Sequence, residues 1–193
     1  MFVTANELHV PVGRPVLLSL RASDVIHSFW VPSLAGKKDL IPGRVTTVAL
    51  RADRAGVYRG QCAEFCGLQH AKMALFVIAD EPDAWQRWAD AQRKPAAAPR
   101  TEDETRGQEV FETGTCAMCH AVSGTRAGGR HAPDLTHVAS RMTLAAGAIP
   151  NDAAARAAWV LDPPAIKPGA NMPATRLSPQ DLAAVMAFLA SLR

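Results

Sequence analysis

The run Cys62-Ala63-Glu64-Phe65-Cys66-Gly67-Leu68-Gln69-His70-Ala71-Lys72-Met73 constrains this chain more than any other stretch, because it places two thiols, an imidazole and a thioether within one short segment. Soft donors of this kind suit copper better than magnesium, calcium or manganese. The cysteines are four positions apart instead of three, which sets aside the Cys-x-x-Cys of thioredoxin-like redox sites and of most zinc knuckles, and leaves zinc the weaker candidate. Two bridging thiolates can hold a pair of copper ions close together, each ion then needing a terminal imidazole and a weaker, longer-range ligand. His70 supplies one imidazole. His27, in the apolar run Asp24-Val25-Ile26-His27-Ser28-Phe29-Trp30-Val31-Pro32, is the natural source of the second, although a lone histidine in such a run is more often a core residue. Phe29 and Trp30 read as core residues that exclude water from the site, and His9 as a surface or strand residue.

A second motif, Cys116-Ala117-Met118-Cys119-His120, lies in the other half of the chain. In Cys-x-x-Cys-His the thiols add to the vinyl groups of a haem and the histidine becomes the proximal iron ligand. A zinc half-site would need another close pair of ligands, and only His131 and His137 follow; both read as surface or loop residues. The sixth iron ligand is sought among the methionines. Met118 lies inside the attachment loop, and Met186 falls on the apolar stripe of the last helix with Leu182, Val185 and Leu189. Met142 and Met172 remain, and Met172 is preferred because the proline- and glycine-bearing run Lys167-Pro168-Gly169-Ala170-Asn171-Met172-Pro173 is stiff enough to present a side chain. All four cysteines fall in the two motifs, so none is left for a structural disulfide. Covalent haem attachment in bacteria takes place outside the cytoplasmic membrane, which implies an extracytoplasmic location.

His27-Ser28-Phe29-Trp30-Val31-Pro32, Lys38-Asp39-Leu40-Ile41-Pro42-Gly43 and the cysteine loop together resemble subunit II of haem-copper cytochrome c oxidases. The resemblance implies a binuclear CuA centre with Cys62 and Cys66 as bridging thiolates, His27 and His70 as terminal imidazoles and Met73 as the weak ligand of one copper. Glu64 matches the family residue whose backbone carbonyl is the weak ligand of the other copper and whose carboxylate faces a magnesium ion shared with the catalytic subunit. Pro133-Asp134-Leu135-Thr136-His137, the later Met172-Pro173 and the Ser178-Pro179 helix start resemble the cytochrome c domain fused to subunit II in caa-type oxidases. That family usually has glycine where this chain has Ala132, which bears on the backbone hydrogen bond that the Pro133 region supplies to the proximal histidine.

With 193 residues the chain can form one large domain or two small ones, and the two motifs favour two. Alternating apolar residues over 7–20, with further strand candidates at 24–31, 44–51, 56–60 and 73–79, suggest a sandwich or barrel of Greek-key type. The resemblance makes it cupredoxin-like, with the cysteine loop between the last two strands. A short helix follows over 82–92, its Trp85 and Trp88 on one face and packing back on the sandwich. Residues 94–100, Lys-Pro-Ala-Ala-Ala-Pro-Arg, read as a linker reaching roughly 20 Å that holds the second unit at an effective concentration on the order of millimolar. Thr101 to Glu104 has the form of a capping box, and helices over 151–161 and from Ser178 onward pack a small haem domain. The expected organisation is therefore an all-β cupredoxin-like CuA domain (1–93), a linker (94–100) and an all-α class I-like cytochrome c domain (101–193).

The net charge of +3 comes entirely from the first half, and neither half is basic enough to suggest nucleic acid. No apolar run of about 18 residues is present, so nothing here spans a membrane, and no signal peptide begins the chain. By the resemblance, two membrane helices precede this stretch in the family, and Met1 marks an incomplete chain anchored at the periplasmic face of the cytoplasmic membrane by helices outside this sequence. The expected function is electron transfer from cytochrome c or another reduced donor, through haem c and then the copper pair, to the oxygen-reducing catalytic subunit I. No nucleophile or general base of this chain's own is apparent. Rivals are the copper input module of a nitrous oxide or nitric oxide reductase and a free soluble carrier. The Lys38 to Gly43 run and the haem motif weigh towards the oxidase.

Overall fold

The computed structural model describes residues 2–193. Its first half is built of short strands. Strand β1 (Glu7–Pro11) runs parallel to β7 (Ala74–Asp80), and β7 pairs antiparallel with β6 (Gly56–Gln61), so that β7 is the centre of a three-stranded sheet. A central strand has both backbone edges hydrogen-bonded. Strand β7 carries Ala74, Val77 and Ala79 in buried positions. Strands β2 (Val16–Leu20) and β5 (Thr46–Leu50) form an antiparallel ladder, as do β3 (His27–Phe29) and β4 (Lys38–Leu40). Leu17 alternates out to solvent at 69% exposure while Leu20 and Leu50 turn inward, the period-two pattern of a half-buried ladder. Val10, Val31, Leu50, Ala52, Val77 and Ala79 meet in one core between these ladders.

Helix α1 (Pro82–Gln92) leaves β7 directly, with proline in its first turn, where the missing N–H breaks no helical bond. It packs back on β1 through both tryptophans: the Trp85 indole N–H donates to the His9 carbonyl at 3.1 Å, and Trp88 stacks on the His9 ring at 3.9 Å. His9 is thus a strand residue whose ring is sandwiched, with Nδ1 2.7 Å from an Asp80 oxygen.

The second half is helical. Helix α2 (Glu102–Thr113) is capped by Thr101, whose hydroxyl accepts from the Glu104 N–H; the Glu104 carboxylate returns to the Arg100 N–H, one residue before the position a regular capping box uses. Helix α3 (Cys116–Cys119) is a single turn. After a two-residue ladder of β8 (Thr143–Leu144) with β9 (Ile149–Pro150) come α4 (Ala153–Leu161), α5 (Pro163–Ile166) and α6 (Pro179–Ser191), each N-capped by a side chain: Asp152, Asp162 and Ser178. Helices α2 and α6 cross at Gly107, where Phe111 and Phe188 meet edge to face at 5.7 Å. Val122, Val138, Val160, Val185 and Leu192 complete this second core.

Four expectations are corrected. The strand around His27 covers three residues instead of 24–31, because Val25 and Ile26 face solvent. Trp30 is 38% exposed and is no core residue; it contributes its backbone carbonyl, which accepts from the Gln61 N–H. His137 is buried, neither surface nor idle: its two ring nitrogens stand 2.9 Å from the Arg193 carbonyl and 3.1 Å from the Lys94 carbonyl. The segment at 94–100 is not a free tether. Ala96 N–H donates to the Ser123 carbonyl at 2.8 Å and Ala96 packs on the helical core, so the chain enters its second half already docked to it.

The halves also touch directly. The Met142 N–H donates to the buried Glu7 carboxylate at 2.6 Å, the Ala74 N–H to the Ala146 carbonyl at 3.0 Å, and the Lys72 ammonium to the Ile166 carbonyl at 3.2 Å. Among the described residues no helix is long and apolar enough to cross a membrane.

Candidate functional site

The cysteine run is the connection between β6 and β7. Its ends are closed by the Cys62 N–H donating to the Met73 carbonyl at 2.9 Å, and its middle by the His70 N–H donating to the Gly67 carbonyl. Strand β3 is fastened to the start of the loop by the Ala63 N–H donating to the Ser28 carbonyl at 3.0 Å, which carries His27 to the cysteines from 35 residues away. The Ser28 hydroxyl, buried beneath, donates to Asp39 on β4 at 2.8 Å. The family-like run at 38–43 therefore acts in part as the partner strand that holds His27 in register.

The side chains converge in two linked halves. Cys62 Sγ lies 3.9 Å from His27 Nδ1 and 3.3 Å from the Glu64 carbonyl oxygen; Cys66 Sγ lies 3.6 Å from His70 Nδ1 and 3.7 Å from Met73 Sδ. The two sulfurs are 3.8 Å apart. His27, Cys62 and Cys66 form a group whose donor atoms all lie within 4.8 Å of one another. The other His27 nitrogen, Nε2, is 2.9 Å from the Asp24 carboxylate, so that Nε2 carries the proton and the Nδ1 lone pair is left facing sulfur, the arrangement that orients a metal-binding imidazole.

Electrostatics favour one thiolate and make the second depend on a cation. Burial pushes the Cys62 thiol up, but backbone hydrogen bonds at Ser28 and Glu64 and the His27 and His70 rings outweigh it and bring it down to about 7. Burial and the neighbouring Cys62 sulfur raise Cys66, since a second anion beside the first is disfavoured without a cation between them. A soft cation shared by both sulfurs removes that conflict, so the donor set fits copper. The Glu64 carboxylate instead faces the Lys37 ammonium at 3.7 Å. It stands in no group of metal-ligating side chains among the described residues, and nothing here supports a magnesium ion.

In the helical half, α2 ends at Gly114 and the single turn α3 presents Cys116 and Cys119. The strand-like segment 128–132 wraps this turn: the Gly129 N–H donates to the His120 carbonyl, and the His131 and Ala132 N–H groups share the Cys119 carbonyl. A Cβ at Gly129 would stand 2.5 Å from the Cys119 carbonyl carbon, which is why glycine is required there. His120 Nδ1 donates to the Pro133 carbonyl at 2.7 Å. The bond is present with Ala132 in place of the family's usual glycine, and it leaves Nε2 free for iron. Burial pushes the His120 ring below its ordinary value, favouring the neutral, ligating form.

His120 and Met172 line one cavity of about 290 Å³, together with Leu135, Trp159 and Val160. Of the other methionines, Met118 is 70% exposed, Met142 is 43% exposed and outside the lining, and Met186 packs on the core. A mostly apolar cavity lined by Met172 and by His120, the residue that follows the cysteine-bearing turn, fits haem. Sequence reasoning missed Asn6, Arg141, Thr143 and Arg156, which also line this cavity. Nothing in their local pattern marks them, because they come from separate segments and, for Asn6, from the other half of the chain.

Residues 1–80 match the family model described as cytochrome c oxidase subunit II, periplasmic domain, and residues 104–193 match the cytochrome c model. The whole chain is 39% identical to cytochrome c oxidase subunit 2 of Alkalihalophilus pseudofirmus, and 99% of it aligns at 34% identity with the same subunit of Bacillus subtilis; it spans 56% of the length of each. Among solved structures, the periplasmic domain of subunit II of the Bradyrhizobium japonicum cytochrome oxidase covers 46% of this chain and 64% of its own, at 34% identity and a TM-score of 0.44. A cupredoxin-like domain that implies a copper centre is thus followed by a helical domain that implies haem, and the chain belongs to the cytochrome c oxidase subunit II family in the form that carries a cytochrome c domain.

Proposed function

We propose that this chain is the electron-input portion of a haem-copper terminal oxidase. When bound, haem c and a binuclear CuA centre supply two one-electron redox centres through which electrons from cytochrome c or another reduced donor reach the catalytic subunit I. The observation that carries this reading is that two ligand sets stand on one chain across a hydrogen-bonded junction, with Gln69 to Pro168 and Lys72 to Ile166 starting from the copper loop itself and Ala74 to Ala146 just after it. Cys62 and Cys66 would hold the coppers through their thiolates and His27 and His70 through their imidazoles, with Met73 and the Glu64 carbonyl as weaker donors. Cys116 and Cys119 hold the haem, with His120 and Met172 on its iron. Phe65 and Leu68 on the copper loop, 76% and 82% exposed, are large apolar side chains open to solvent, as at a surface that meets a protein partner, here the catalytic subunit. The reading places the chain at the periplasmic face of the cytoplasmic membrane. It divides the chain into a Greek-key CuA domain (1–93), a connecting segment (94–100) and a class I cytochrome c domain (101–193).

The test is a sub-stoichiometric pulse of reductant on the loaded chain. Loss of the copper absorption should follow haem reduction at a rate independent of protein concentration; a rate that rises with concentration means collision between chains and sinks the intrachain relay. Cys116→Ala should release most of the haem and leave the copper spectrum in place. Met172→Leu should remove the low-spin methionine–iron signature, and if Met142→Leu does so instead, the axial assignment is wrong.

A further inference from the structure

Two buried side-chain polar atoms are left without a hydrogen-bond partner among the described residues, Asn6 Nδ2 and Thr143 Oγ1, and both line the cavity that holds His120 and Met172. An unpaired buried donor costs roughly 1–3 kcal/mol, so two in one cavity point to an acceptor that occupies it. The same wall carries two guanidinium groups. Arg156 is 8% exposed and its hydrogen bonds go only to Asn151; Arg141 donates to the Asp134 carbonyl and feels the Glu7 and Asp134 carboxylates, but neither guanidinium makes an ion pair within 4.0 Å among the described residues. Buried cations are ordinarily paired. Together they ask for an anion with several acceptor oxygens.

Backbone strain collects at the same place. Asn6, Ala145 and Ala146 are the three non-glycine residues with positive φ among those described, at 66°, 55° and 60°, and all three line this cavity. Each such conformation costs on the order of 1–3 kcal/mol and persists only where its surroundings fix it. Ala146 is fixed across the junction, and Ala145 and Asn6 are fixed within their own halves. The Ala146 carbonyl accepts from Ala74, the buried Lys167 ammonium donates to the Ala145 carbonyl at 2.9 Å, and the Asn6 carbonyl accepts from the Phe76 N–H at 3.0 Å. Asn6 and Ala146 also line the second cavity, beside His27, Cys62 and Met73.

We propose that the copper domain closes the haem pocket: the Asn6 amide and the Thr143 hydroxyl donate to the propionate carboxylates of the haem, beside Arg141 and Arg156, so that the carboxylate edge of the porphyrin faces the domain junction. The proposal rests on the haem reading above. A haem c has two carboxylates and an apolar body, which matches a mostly apolar cavity whose lining includes Asn6, Thr143, Arg141 and Arg156. Asn6 is then a positioning residue for a cofactor attached more than a hundred residues away, and the propionates find all their donors only when the two domains are docked as they are here.

Asn6→Gly and Asn6→Asp test it, because both residues tolerate the left-handed backbone that Asn6 adopts; Thr143→Val removes the other donor at constant shape. With less neutralisation of the propionates, the haem midpoint potential should fall in Asn6→Gly and Thr143→Val. It should fall further in Asn6→Asp, by about tenfold in the reduction equilibrium or ~59 mV for one electron. In the unsubstituted holoprotein, the side-chain amide protons of Asn6 should be paramagnetically shifted in the ferric state and move on reduction. Unchanged potentials in all three variants, or an Asn6 amide that behaves as a water-solvated one, would overturn the proposal. Covalent haem and copper content are measured on the same samples. Failure of the unsubstituted chain to attach haem defeats the functional reading instead, whereas loaded protein with unaltered potentials defeats only the role of Asn6.

Discussion

Cys62→Ala is expected to lower copper affinity at least a hundredfold and to abolish the thiolate-to-copper absorption. The sulfur is 4% exposed and stands between the two halves of the site, 3.9 Å from His27 Nδ1 and 3.8 Å from Cys66 Sγ. Losing a partner that merely orients a ligand costs about 10–100-fold in metal affinity, and a shared bridging ligand exceeds that because both ions lose a bond. The loop itself should keep its shape, since Cys62 closes it through its backbone N–H to Met73 and not through its side chain. Copper content, the visible spectrum and the haem spectrum report the outcome. A variant that still binds two coppers per chain would show that Cys62 is not a bridge.

Gly107→Ala should destabilise the helical domain by about 3 kcal/mol, the upper part of the range for overpacked cores, or roughly 12–24 °C in melting temperature for a domain of this size. A Cβ at Gly107 would stand 2.0 Å from the Ala184 carbonyl oxygen and 2.8 Å from Phe188 Cβ, and both belong to the facing helix. Relief can come only by moving α2 away from α6, which opens the Phe111–Phe188 contact at the centre of the core. Helix propensity taken alone gives the opposite sign, since alanine is favoured over glycine in a helix interior by about 1 kcal/mol. Thermal unfolding followed at the haem band, with the copper absorption as an internal reference, distinguishes the two. An unchanged or higher transition would mean that the helices separate without loss.

The parts of the site legible in the sequence are those whose chemistry is written locally. Cys62, Cys66, His70 and Met73 are neighbours along one loop, and Cys116, Cys119 and His120 along one turn. Their spacing already limits what they can bind. His27 was found through its flanking run and the family it resembles, and its approach to Cys62 depends on the Ser28 carbonyl bonding to Ala63. Exposure was read less well. The exposure of Trp30 and the burial of His137 are not legible, because a single residue's hydrophobicity says little about which face of a short segment turns inward, and the docked segment at 94–100 has the composition of a tether. No local pattern could mark Glu7, whose carboxylate holds the Met142 N–H 135 residues later, or Asn6, whose neighbours come from three separate segments.

The order of residues thus determined that there are two soft-ligand motifs, one strand-rich and one helix-rich half, and which side chains have the valence to hold copper and haem. The tertiary structure decided what those halves do to each other: which imidazole nitrogen faces sulfur, which glycine lets two helices touch, and that the haem cavity is finished by the copper domain. Ligand type is a property of single residues and survives in any conformation. Distance across a junction is set by the folding of segments far apart in the chain, and exists only once they have met.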